Sequence, residues 1–244
     1  MIPSKVIKKE LVSRGIAHLF LRPLKEFKKP TPGQFVMLWV PGHEEIPMSI
    51  SDYSDGVIRI TVKDRGPTTN YLIYDLPVGS YLGVRGPLGI GITNDMIMGR
   101  GLFIVGGVGI APIAYLIKSY HPLVRECKLL AGFVSRDEAS VVDELRSYLS
   151  VEVVNEELDW MTVIDLLKKE LSNKARYDYY IASGPKAVLD HTVVMMPKNV
   201  IGYLLTESFM KCGIGFCGSC AMKGFLVCKD GTLIRADKYV DLIS

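Results

Sequence analysis

The chain has 244 residues, of which 48% are hydrophobic and 23% charged. This is the composition of a globular protein of one or two domains, and it excludes a disordered chain and a fibrous repeat. The 29 basic and 26 acidic residues leave a net charge of +3, which is too balanced to indicate nucleic-acid binding. No stretch approaches the roughly 18 consecutive apolar residues of a membrane helix. Because Lys5, Lys8 and Lys9 interrupt the start of the chain, we expect no secretory signal peptide and predict a cytoplasmic protein.

The N-terminal third of the sequence has the pattern of an antiparallel β domain. Residues 34–40 form a short apolar run, and residues 58–63 alternate between apolar and polar side chains, as a half-buried strand does. Residues 81–85 predict a further strand. Turn residues recur between these runs, so the region indicates a small antiparallel barrel or sandwich.

From about residue 100 the pattern changes to strands that alternate with helices. Short apolar runs predict strands at 102–105, 128–133, 151–154, 179–182 and 201–205. Longer periodic stretches predict helices at 111–120, 138–149 and 160–171. This alternation implies βαβ units and a parallel sheet.

A Cys- and Gly-rich segment follows the last predicted strand. We therefore divide the chain into a β-barrel domain (1–98), an α/β domain (99–205) and a cysteine module (206–244). Four of the five cysteines lie in this module, with the spacing Cys212-x4-Cys217-x2-Cys220-x7-Cys228. In a cytosolic protein such clustering indicates a metal site rather than disulfide bonds.

The spacing of the first three cysteines is that of plant-type [2Fe–2S] ferredoxins. Gly213, Gly215 and Gly218 give the loop the freedom to turn its backbone N–H groups toward the sulfur atoms. Two alternatives are a structural zinc ion, which usually has two C-x2-C knuckles where this chain has one, and four buried structural cysteines. The isolated Cys127 is expected to be an ordinary buried thiol.

Two strand-to-helix turns have the character of phosphate-binding loops. Residues 106–112 read Gly-Gly-Val-Gly-Ile-Ala-Pro after one predicted strand, and residues 182–185 read Ala-Ser-Gly-Pro after another. Glycines allow a pyrophosphate to approach the backbone, and a helix N-terminus offers unpaired N–H groups. Neither turn has the full G-x-G-x-x-G pattern, so a simple tight turn is the alternative for each.

Two hydroxyl-bearing segments of the β domain could bind phosphate or a flavin. Residues 46–51 place two serines beside a proline, and residues 66–69 place two threonines after Gly-Pro. From chemistry alone, a strand edge or a turn is the simpler interpretation of each.

The order of these elements resembles the ferredoxin–NADP reductase superfamily. Residues 207–220, with Cys228 and Asp230-Gly231, are similar to the electron-transfer subunits of class 1B-type dihydroorotate dehydrogenase, the PyrK family. The resemblance covers essentially the whole chain. It implies an antiparallel flavin-binding barrel, a nucleotide-binding parallel α/β domain and a C-terminal [2Fe-2S] module, with FAD, NAD and the cluster as cofactors and NADP not excluded.

The resemblance also implies a role for individual positions. The residues that it places along FAD are Pro47, Met48, Ser49, Thr61, Val62, Pro67, Thr68 and Thr69. Those that it places toward the nicotinamide nucleotide are Gly106, Gly107, Gly109, Gly184 and Pro185. The implied cluster ligands are Cys212, Cys217, Cys220 and Cys228. It implies no catalytic residue, because an electron relay needs no side chain as an acid or a base.

This chain departs from the family pattern at three places. One is the nicotinamide-domain turn, where the family often has Cys before Gly-Pro and this chain has Ser183. The flavin motif of the family usually has Arg before the proline, where this chain has Ile46, and Lys63 or Arg65 is the candidate replacement. Arg136 and Asp137 follow the second strand of the α/β domain, where Arg accommodates a 2′-phosphate and an acidic residue binds a 2′-hydroxyl. The choice between NAD and NADP is therefore open.

The function that the resemblance implies is an electron relay in pyrimidine (UMP) biosynthesis. Electrons would pass from the FMN of a TIM-barrel catalytic subunit, which oxidises dihydroorotate, through the [2Fe-2S] cluster and FAD to NAD+. The implied assembly is a heterotetramer of two catalytic and two electron-transfer subunits, and the candidate docking surface consists of Phe209, Met210, Ile214 and Phe216. The alternatives are a flavin and iron–sulfur subunit of a hydrogenase, sulfide dehydrogenase or ferredoxin reductase, or a relay that uses the cluster alone and an acceptor other than NAD.

Overall fold

The computed structural model of the chain describes residues 1–243 and contains a closed β-barrel, an α/β sheet and a largely irregular segment that carries four cysteines. The predicted fold class is confirmed in its two main parts. No helix within residues 1–243 is both long enough and apolar enough to cross a membrane.

Six antiparallel strands form the barrel. They are β1 (Ile2–Ser13), β2 (Ile16–Pro23), β3 (Phe35–Trp39), β4 (Glu45–Ser54), β5 (Val57–Lys63) and β6 (Tyr81–Leu88). Their order is β1-β2-β5-β4-β3-β6, and β6 pairs with β1 to close the barrel. Val36, Leu38, Ile58 and Ile60 are fully buried in its core, so the apolar face of each strand points inward.

A short helix connects the barrel strands β5 and β6. It consists of α1 (Pro67–Asn70) and a π-helical turn over Tyr71–Asp75. The Thr69 hydroxyl accepts hydrogen bonds from the backbone N–H groups of Arg65 and Gly66, at 2.8 and 3.1 Å. Leu72 and Ile73 are buried in the barrel core, which fixes α1 at one end of the barrel.

The α/β sheet contains five parallel strands and one antiparallel strand. The parallel strands are β7 (Gly101–Gly106), β8 (Lys128–Phe133), β9 (Ser150–Asn155), β10 (Tyr179–Ser183) and β11 (Ile201–Leu205). Between β11 and the sixth strand lies a two-stranded hairpin of β12 (Ala221–Met222) and β13 (Phe225–Leu226). The sixth strand, β14 (Leu233–Arg235), pairs antiparallel with β11. The cysteine module thus contributes an edge strand to the α/β sheet, which the sequence did not predict.

The remaining helices mostly flank the sheet. They are α2 (Ile110–Tyr120), α3 (Arg136–Ala139), α4 (Glu156–Asp159), α5 (Val163–Ser172), α6 (Lys186–Met195), α7 (Val227–Asp230) and α8 (Ala236–Ile243). The prediction of one helix over 138–149 is wrong, since α3 is a single turn that continues as a 3-10 turn over Ser140–Leu145. The helix predicted at 160–171 begins at Val163, where Thr162 and Asp165 form a capping box.

The chain reverses direction in the sheet between β7 and β10. The strand order is β14-β11-β10-β7-β8-β9, so the chain builds outward from β7 to one side and then from β10 to the other. In doubly wound sheets, the crevice at the carboxyl ends of two such strands is the usual ligand site. The loops after β7 and β10 are the two glycine-containing turns singled out in the sequence.

An ion network joins the barrel to the α/β domain. Arg59 on β5 donates to both carboxylate oxygens of Glu144, at 3.1 and 2.6 Å, and Lys118 on α2 donates to Glu144 and Asp52 at 2.7 and 3.0 Å. Burial opposes ionisation of Glu144, but the hydrogen bonds from Arg59 and Lys118 outweigh it and lower its pKa to about 2. The network therefore keeps its charges at neutral pH and sets how the two domains face each other.

Candidate flavin, nucleotide and cluster site

A cleft of about 350 Å³ lies where the barrel, the start of α2 and the cysteine module meet. Of the eight residues predicted to contact a flavin, six line this cleft: Pro47, Met48, Ser49, Thr61, Thr68 and Thr69. Val62 is fully buried in the barrel core, and Pro67 is exposed at the start of α1, outside the lining. The structure therefore brings two segments, 47–49 and 68–69, to the same cavity from opposite sides of the barrel end.

Several lining residues were not identified from the sequence. Thr206, Glu207, Ser208 and Met210 form a wall of the cleft immediately before the first cysteine, and Glu44 accepts a hydrogen bond from the Thr68 hydroxyl at 2.9 Å. Met210 is also buried, so its inclusion in an exposed docking surface is corrected. The motif of residues 207–220 includes Glu207, Ser208 and Met210 but does not place them at the cleft, because the cleft forms only when distant segments pack together.

Two cations reach the cleft, and they differ in their partners. Lys63 donates to both carboxylate oxygens of Glu138, at 2.8 and 2.9 Å, so its charge is already balanced. Arg65 is exposed at the lining and makes no ion pair with any of residues 1–243. Of the two replacements considered for the arginine missing at Ile46, Arg65 is the cation that remains available to a bound anion.

A buried histidine supports the cleft from the outer face of the barrel, beside Arg59 and Glu144 at the junction with the α/β domain. His18 Nδ1 lies 3.0 Å from the Thr61 hydroxyl. Burial, with a smaller contribution from the nearby Arg59, lowers the pKa of His18 to about 4. The imidazole is therefore neutral at pH 7, and it holds the Thr61 side chain without adding charge to the cleft.

The two glycine-containing turns contact each other at the crevice between β7 and β10. A Cβ added to Gly109 would lie 2.6 Å from the Ser183 carbonyl, and one added to Gly184 would lie 2.7 Å from the Gly106 carbonyl. Gly107 has a φ of +53° and faces open space. The absence of side chains thus lets the turns pack closely and leaves backbone accessible beside them.

This crevice opens toward the cleft. Val108 and Ala111, from the first turn and the start of α2, belong to the cleft lining, and Pro185 packs against Gly106. At the far side of the sheet, Arg136 and Asp137 are both exposed at the start of α3, immediately beyond β8. A nucleotide that spans the carboxyl edge of the sheet would have its ribose near these two residues.

The cysteine loop, which we define as residues 207–228, directs backbone N–H groups at its sulfur atoms. Cys212 Sγ accepts hydrogen bonds from the N–H groups of Phe216 and Cys217, at 3.3 and 3.4 Å. Cys228 Sγ accepts one from Gly215 at 3.1 Å, and Cys220 Sγ accepts one from the N–H of Cys228 at 3.4 Å. Such donors stabilise the negative charge of thiolates and of iron–sulfur clusters.

The four thiols form two pairs, since Cys212 contacts Cys217 and Cys220 contacts Cys228. Hydrogen bonds from the backbone of Ile214, Cys217 and Phe216 lower the pKa of Cys212 to about 6, and the Ser219 side chain lowers the pKa of Cys217. Burial raises the pKa of Cys228 to about 11. Cys212 and Cys217, which we call the outer pair, therefore favour the thiolate form. Cys220 and Cys228, the inner pair, are buried.

The donor set of the loop suits a cluster with two irons. In the described chain, no group of three or more His, Cys, Asp or Glu side chains is gathered as the ligands of a single metal ion. Two thiol pairs within the cysteine module, with N–H groups turned toward their sulfur atoms, match a cluster in which each iron takes two cysteines. Cys127 is buried beside Tyr179, away from the loop.

Comparison with known proteins adds independent findings. Residues 207–239 match the family described as the iron–sulfur cluster binding domain of dihydroorotate dehydrogenase B. The chain is 34% identical over 236 residues to the protein of Pyrococcus furiosus named Probable dihydroorotate dehydrogenase B (NAD(+)), electron transfer subunit, with 94% of this chain and 88% of that protein covered. The protein of the same name from Thermococcus kodakarensis is 36% identical over 216 residues, with 87% and 88% covered.

Solved structures share the fold. The structure described as the NADH-dependent reduced ferredoxin–NADP oxidoreductase has a TM-score of 0.86 and 24% sequence identity, covering 98% of this chain and 91% of that chain. The cytochrome b5 reductase-containing domains of human Ncb5or have a TM-score of 0.69 and 20% identity, covering 84% and 69%. At these identities the similarity is one of fold alone.

Proposed function

The chain belongs to the family of the electron-transfer subunits of dihydroorotate dehydrogenase B, and from this premise we propose that it relays electrons from a dihydroorotate-oxidising catalytic subunit to NAD+. When bound, the [2Fe–2S] cluster supplies one-electron transfer, and FAD converts single electrons into the hydride of NADH. The residues of the chain bind these groups and set their surroundings. None of them has to act as an acid or a base.

FAD would occupy the cleft. Pro47, Met48 and Ser49 on β4 and Thr61 on β5 would lie along its ring system, next to the buried Val62. Thr68 and Thr69, at the helix start after Pro67, would hold its pyrophosphate, and Arg65 would supply the positive charge. Hydroxyl-bearing side chains and one guanidinium that makes no ion pair with any of residues 1–243 line this one cavity, and they support the assignment.

The nicotinamide nucleotide would lie along the carboxyl edge of the sheet. Gly106, Gly107 and Gly109 would face its phosphates at the N-terminus of α2, and Gly184 and Pro185 would border the nicotinamide. The support is that these turns meet at the strand reversal and open toward the cleft. A nicotinamide there would approach the flavin ring from the side of Val108.

The cluster would be held by Cys212, Cys217, Cys220 and Cys228. One observation carries the proposed relay: residues 206–208 and Met210 form a wall of the cleft and lead directly into Cys212. Because this segment lines the cleft and leads into the first cysteine, only a few residues lie between the cleft wall and the first proposed cluster ligand. A group bound in the cleft and a group bound by the cysteines would therefore lie close together. Such proximity is what electron transfer between two cofactors requires.

We place the partner on the exposed side of the cysteine loop. Phe209, Ile214 and Phe216 expose large apolar side chains around the outer pair, with Phe216 89% exposed. The proposed partner is the FMN-containing TIM-barrel subunit, in a heterotetramer of two catalytic and two electron-transfer chains, in the cytoplasm. The domain boundaries at residues 98 and 205 are part of the same proposal.

Purification of the chain under anaerobic conditions tests the proposed cofactors. We expect flavin and iron–sulfur absorption bands, with one FAD for two irons and two labile sulfides, and bleaching of both sets of bands by NADH. A colourless, zinc-loaded protein would overturn the proposal. Iron–sulfur bands without flavin would favour the cluster-only relay, and comparing NADH with NADPH as reductant decides the nucleotide.

A mutation in the docking surface tests the partner. Replacement of Phe216 by Asp is expected to weaken co-purification with the FMN subunit at least tenfold while the cluster content stays unchanged. The matched control is Trp160→Asp, since Trp160 is 90% exposed but lies in the α/β domain beyond β9. Equal effects of the two substitutions, or co-purification with a hydrogenase or glutamate-synthase-like subunit instead, would contradict the assignment.

A further inference from the structure

One arginine connects the cleft strand β4 to the cysteine loop. Arg85 on β6 donates from Nε and Nη2 to the two carboxylate oxygens of Glu45, at 3.1 and 2.9 Å. Its remaining terminal nitrogen, Nη1, donates to the backbone carbonyl of Cys212 at 2.7 Å. Both charged side chains are about three-quarters buried, so the solvent screens this bridge only partly.

The bridge joins the two redox sites through three side-chain bonds. Glu45 is the first residue of β4 and directly precedes Ile46 and Pro47, which line the cleft. Cys212 is the first cysteine of the loop. The guanidinium fork is planar and fixed in shape, so it sets the orientation of both partners more strictly than a lysine could.

The same part of the loop also packs tightly on the barrel. A Cβ added to Gly213 would lie 2.8 Å from Met37 Cγ and 3.2 Å from Leu88 Cδ1, and Gly213 has a φ of +69°. The loop thus reaches the barrel strands β3 and β6 by its backbone, next to the Arg85 contact. Cys217, at the opposite end of the outer pair, is exposed.

We propose that Arg85 is a positioning residue that holds the cysteine loop against the flavin-cleft strand, and that the Arg85–Glu45 pair sets the electrostatic surroundings of the cluster at Cys212. This inference rests on the proposed function. A positive charge beside an iron–sulfur cluster stabilises its reduced form and raises its reduction potential, and a carboxylate beside that charge counteracts it. The pair therefore has two separable effects, one on geometry and one on potential.

Redox titration of the FAD- and cluster-loaded full chain, monitored by electron paramagnetic resonance, separates these effects. Glu45→Gln keeps a hydrogen-bond acceptor but loses the negative charge, so the midpoint potential of the cluster is expected to become more positive. Arg85→Gln leaves Glu45 uncompensated, and the potential is expected to become more negative. Arg85→Lys retains the charge and is expected to stay near the wild-type potential.

The geometric effect has two readouts of its own. In Arg85→Gln and Arg85→Lys, reduction of the cluster after mixing with NADH is expected to slow on the order of 10-fold, the usual cost of losing an outer contact of a metal site. In the chain freed of cofactors, hydrogen exchange over peptides of residues 207–220 is expected to be faster in both variants. Arg146→Gln is the control, because Arg146 pairs with Asp143 on the exposed surface of the α/β domain.

The outcomes distinguish this inference from the proposed function. Opposite potential shifts for the Glu45 and Arg85 variants support it, whereas a merely structural contact would shift both alike or neither. Wild-type chain that carries FAD and cluster, with variants unchanged in potential and exchange, overturns the role of Arg85 alone. Wild-type chain that binds neither cofactor overturns the proposed function. If Arg85→Gln does not retain the cluster, the midpoint potential of Glu45→Gln decides the electrostatic role of the pair: a more positive potential supports it, and an unchanged potential overturns it.

Discussion

The cleft and the cysteine loop are neighbours, but they are built in opposite ways. Part of the cleft wall belongs to β4 and β5, whose backbone groups pair along regular ladders over a fully buried barrel core. Residues 207–220 contain no strand or helix, and several of their N–H groups point at sulfur atoms instead of carbonyls. Backbone pairing and core packing therefore determine the conformation of the cleft strands, whereas the conformation of the loop serves the sulfur atoms that it surrounds.

This difference separates two kinds of stability. The barrel contributes its own hydrophobic core, and the ion network of Arg59, Lys118 and Glu144 fixes it to the α/β domain. The loop depends on contacts made from outside, namely the Arg85 bridge and the packing of Gly213, and on the cluster that we propose its cysteines bind. Metal binding to such a segment contributes directly to the free energy of its folding.

The largest effect is expected from loss of an inner cysteine. Cys228→Ser should remove the cluster, lowering the iron content at least 10-fold, because burial leaves no other ligand to replace the thiolate. FAD should stay bound, since no cysteine lines the cleft. Iron and sulfide analysis of the purified variant measures its cluster content, and FAD analysis of the same sample measures its flavin content.

The control for this substitution is Cys127→Ser, which removes a buried thiol outside the loop. It should leave the iron content unchanged. Loss of FAD together with iron in Cys228→Ser, in a chain that is otherwise folded, would contradict the independence of the cleft and would show that the two sites form as one unit.

A second effect concerns the pH dependence of the barrel. The pKa of His18 is lowered from 6.5 to about 4, chiefly by burial, so the unfolded chain binds this proton more readily than the folded chain. The stabilisation is fully present above pH 6.5 and is lost as the pH falls through the interval down to about 4. With about 1.4 kcal/mol for each pH unit, the loss over the interval is roughly 3 kcal/mol.

His18→Gln should flatten the pH dependence between pH 6.5 and 4.5, because glutamine does not titrate. Urea unfolding followed by tryptophan fluorescence at several pH values measures this slope. Below pH 4.5 the protonation of Glu144 adds its own loss, so the comparison is restricted to the upper interval. An unchanged slope in the variant would show that another group titrates.

A third effect distinguishes the two cations of the cleft. Arg65→Gln should weaken FAD binding about 10-fold, the value of one charge-assisted hydrogen bond. Lys63→Gln should weaken it less, because Lys63 is already paired with Glu138. Titration of FAD into the flavin-free chain provides both dissociation constants, and a larger effect at Lys63 would reverse the assignment of the missing arginine.

The smallest effect is expected at Gly107. This residue has a φ of +53° but meets no atom within 4 Å of an added Cβ, so Gly107→Ala brings strain without a clash. The left-handed conformation costs about 1 kcal/mol for alanine. The midpoint of thermal unfolding should fall by a few degrees, while Gly109→Ala, which would collide with the backbone of Ser183, should lower both stability and NADH binding more.

The sequence predicted elements whose pattern is local. The strands β5 and β8 were found because apolar side chains alternate or run together, and the cysteine spacing was visible in the sequence. The helix predicted over 138–149 failed because tertiary contacts overrode its periodicity. Glu144 is drawn toward Arg59 and Lys118, and the Ser140 hydroxyl bonds the Asp137 carbonyl.

The sequence could not predict contacts between distant segments. Glu45, Arg85 and Cys212 form one bridge, although up to 167 positions separate them in the chain. The sequence did not place Thr206 and Ser208 at the cleft, since these ordinary polar residues reach it only where the module meets the barrel. The resemblance to a family supplied residue roles that local patterns left undecided, and the geometry now gives each of them a physical test.

The edge strand β14 makes the cysteine module a structural part of the α/β sheet. A chain cut after Thr206 would lose the hydrogen-bonded partner of β11 and the helix that covers it, and it would present a bare strand edge to other molecules. The cysteine module therefore cannot be removed without exposing an edge of the α/β sheet. Grafting it onto another reductase, or deleting it in evolution, would require a new cap for the sheet at the same time.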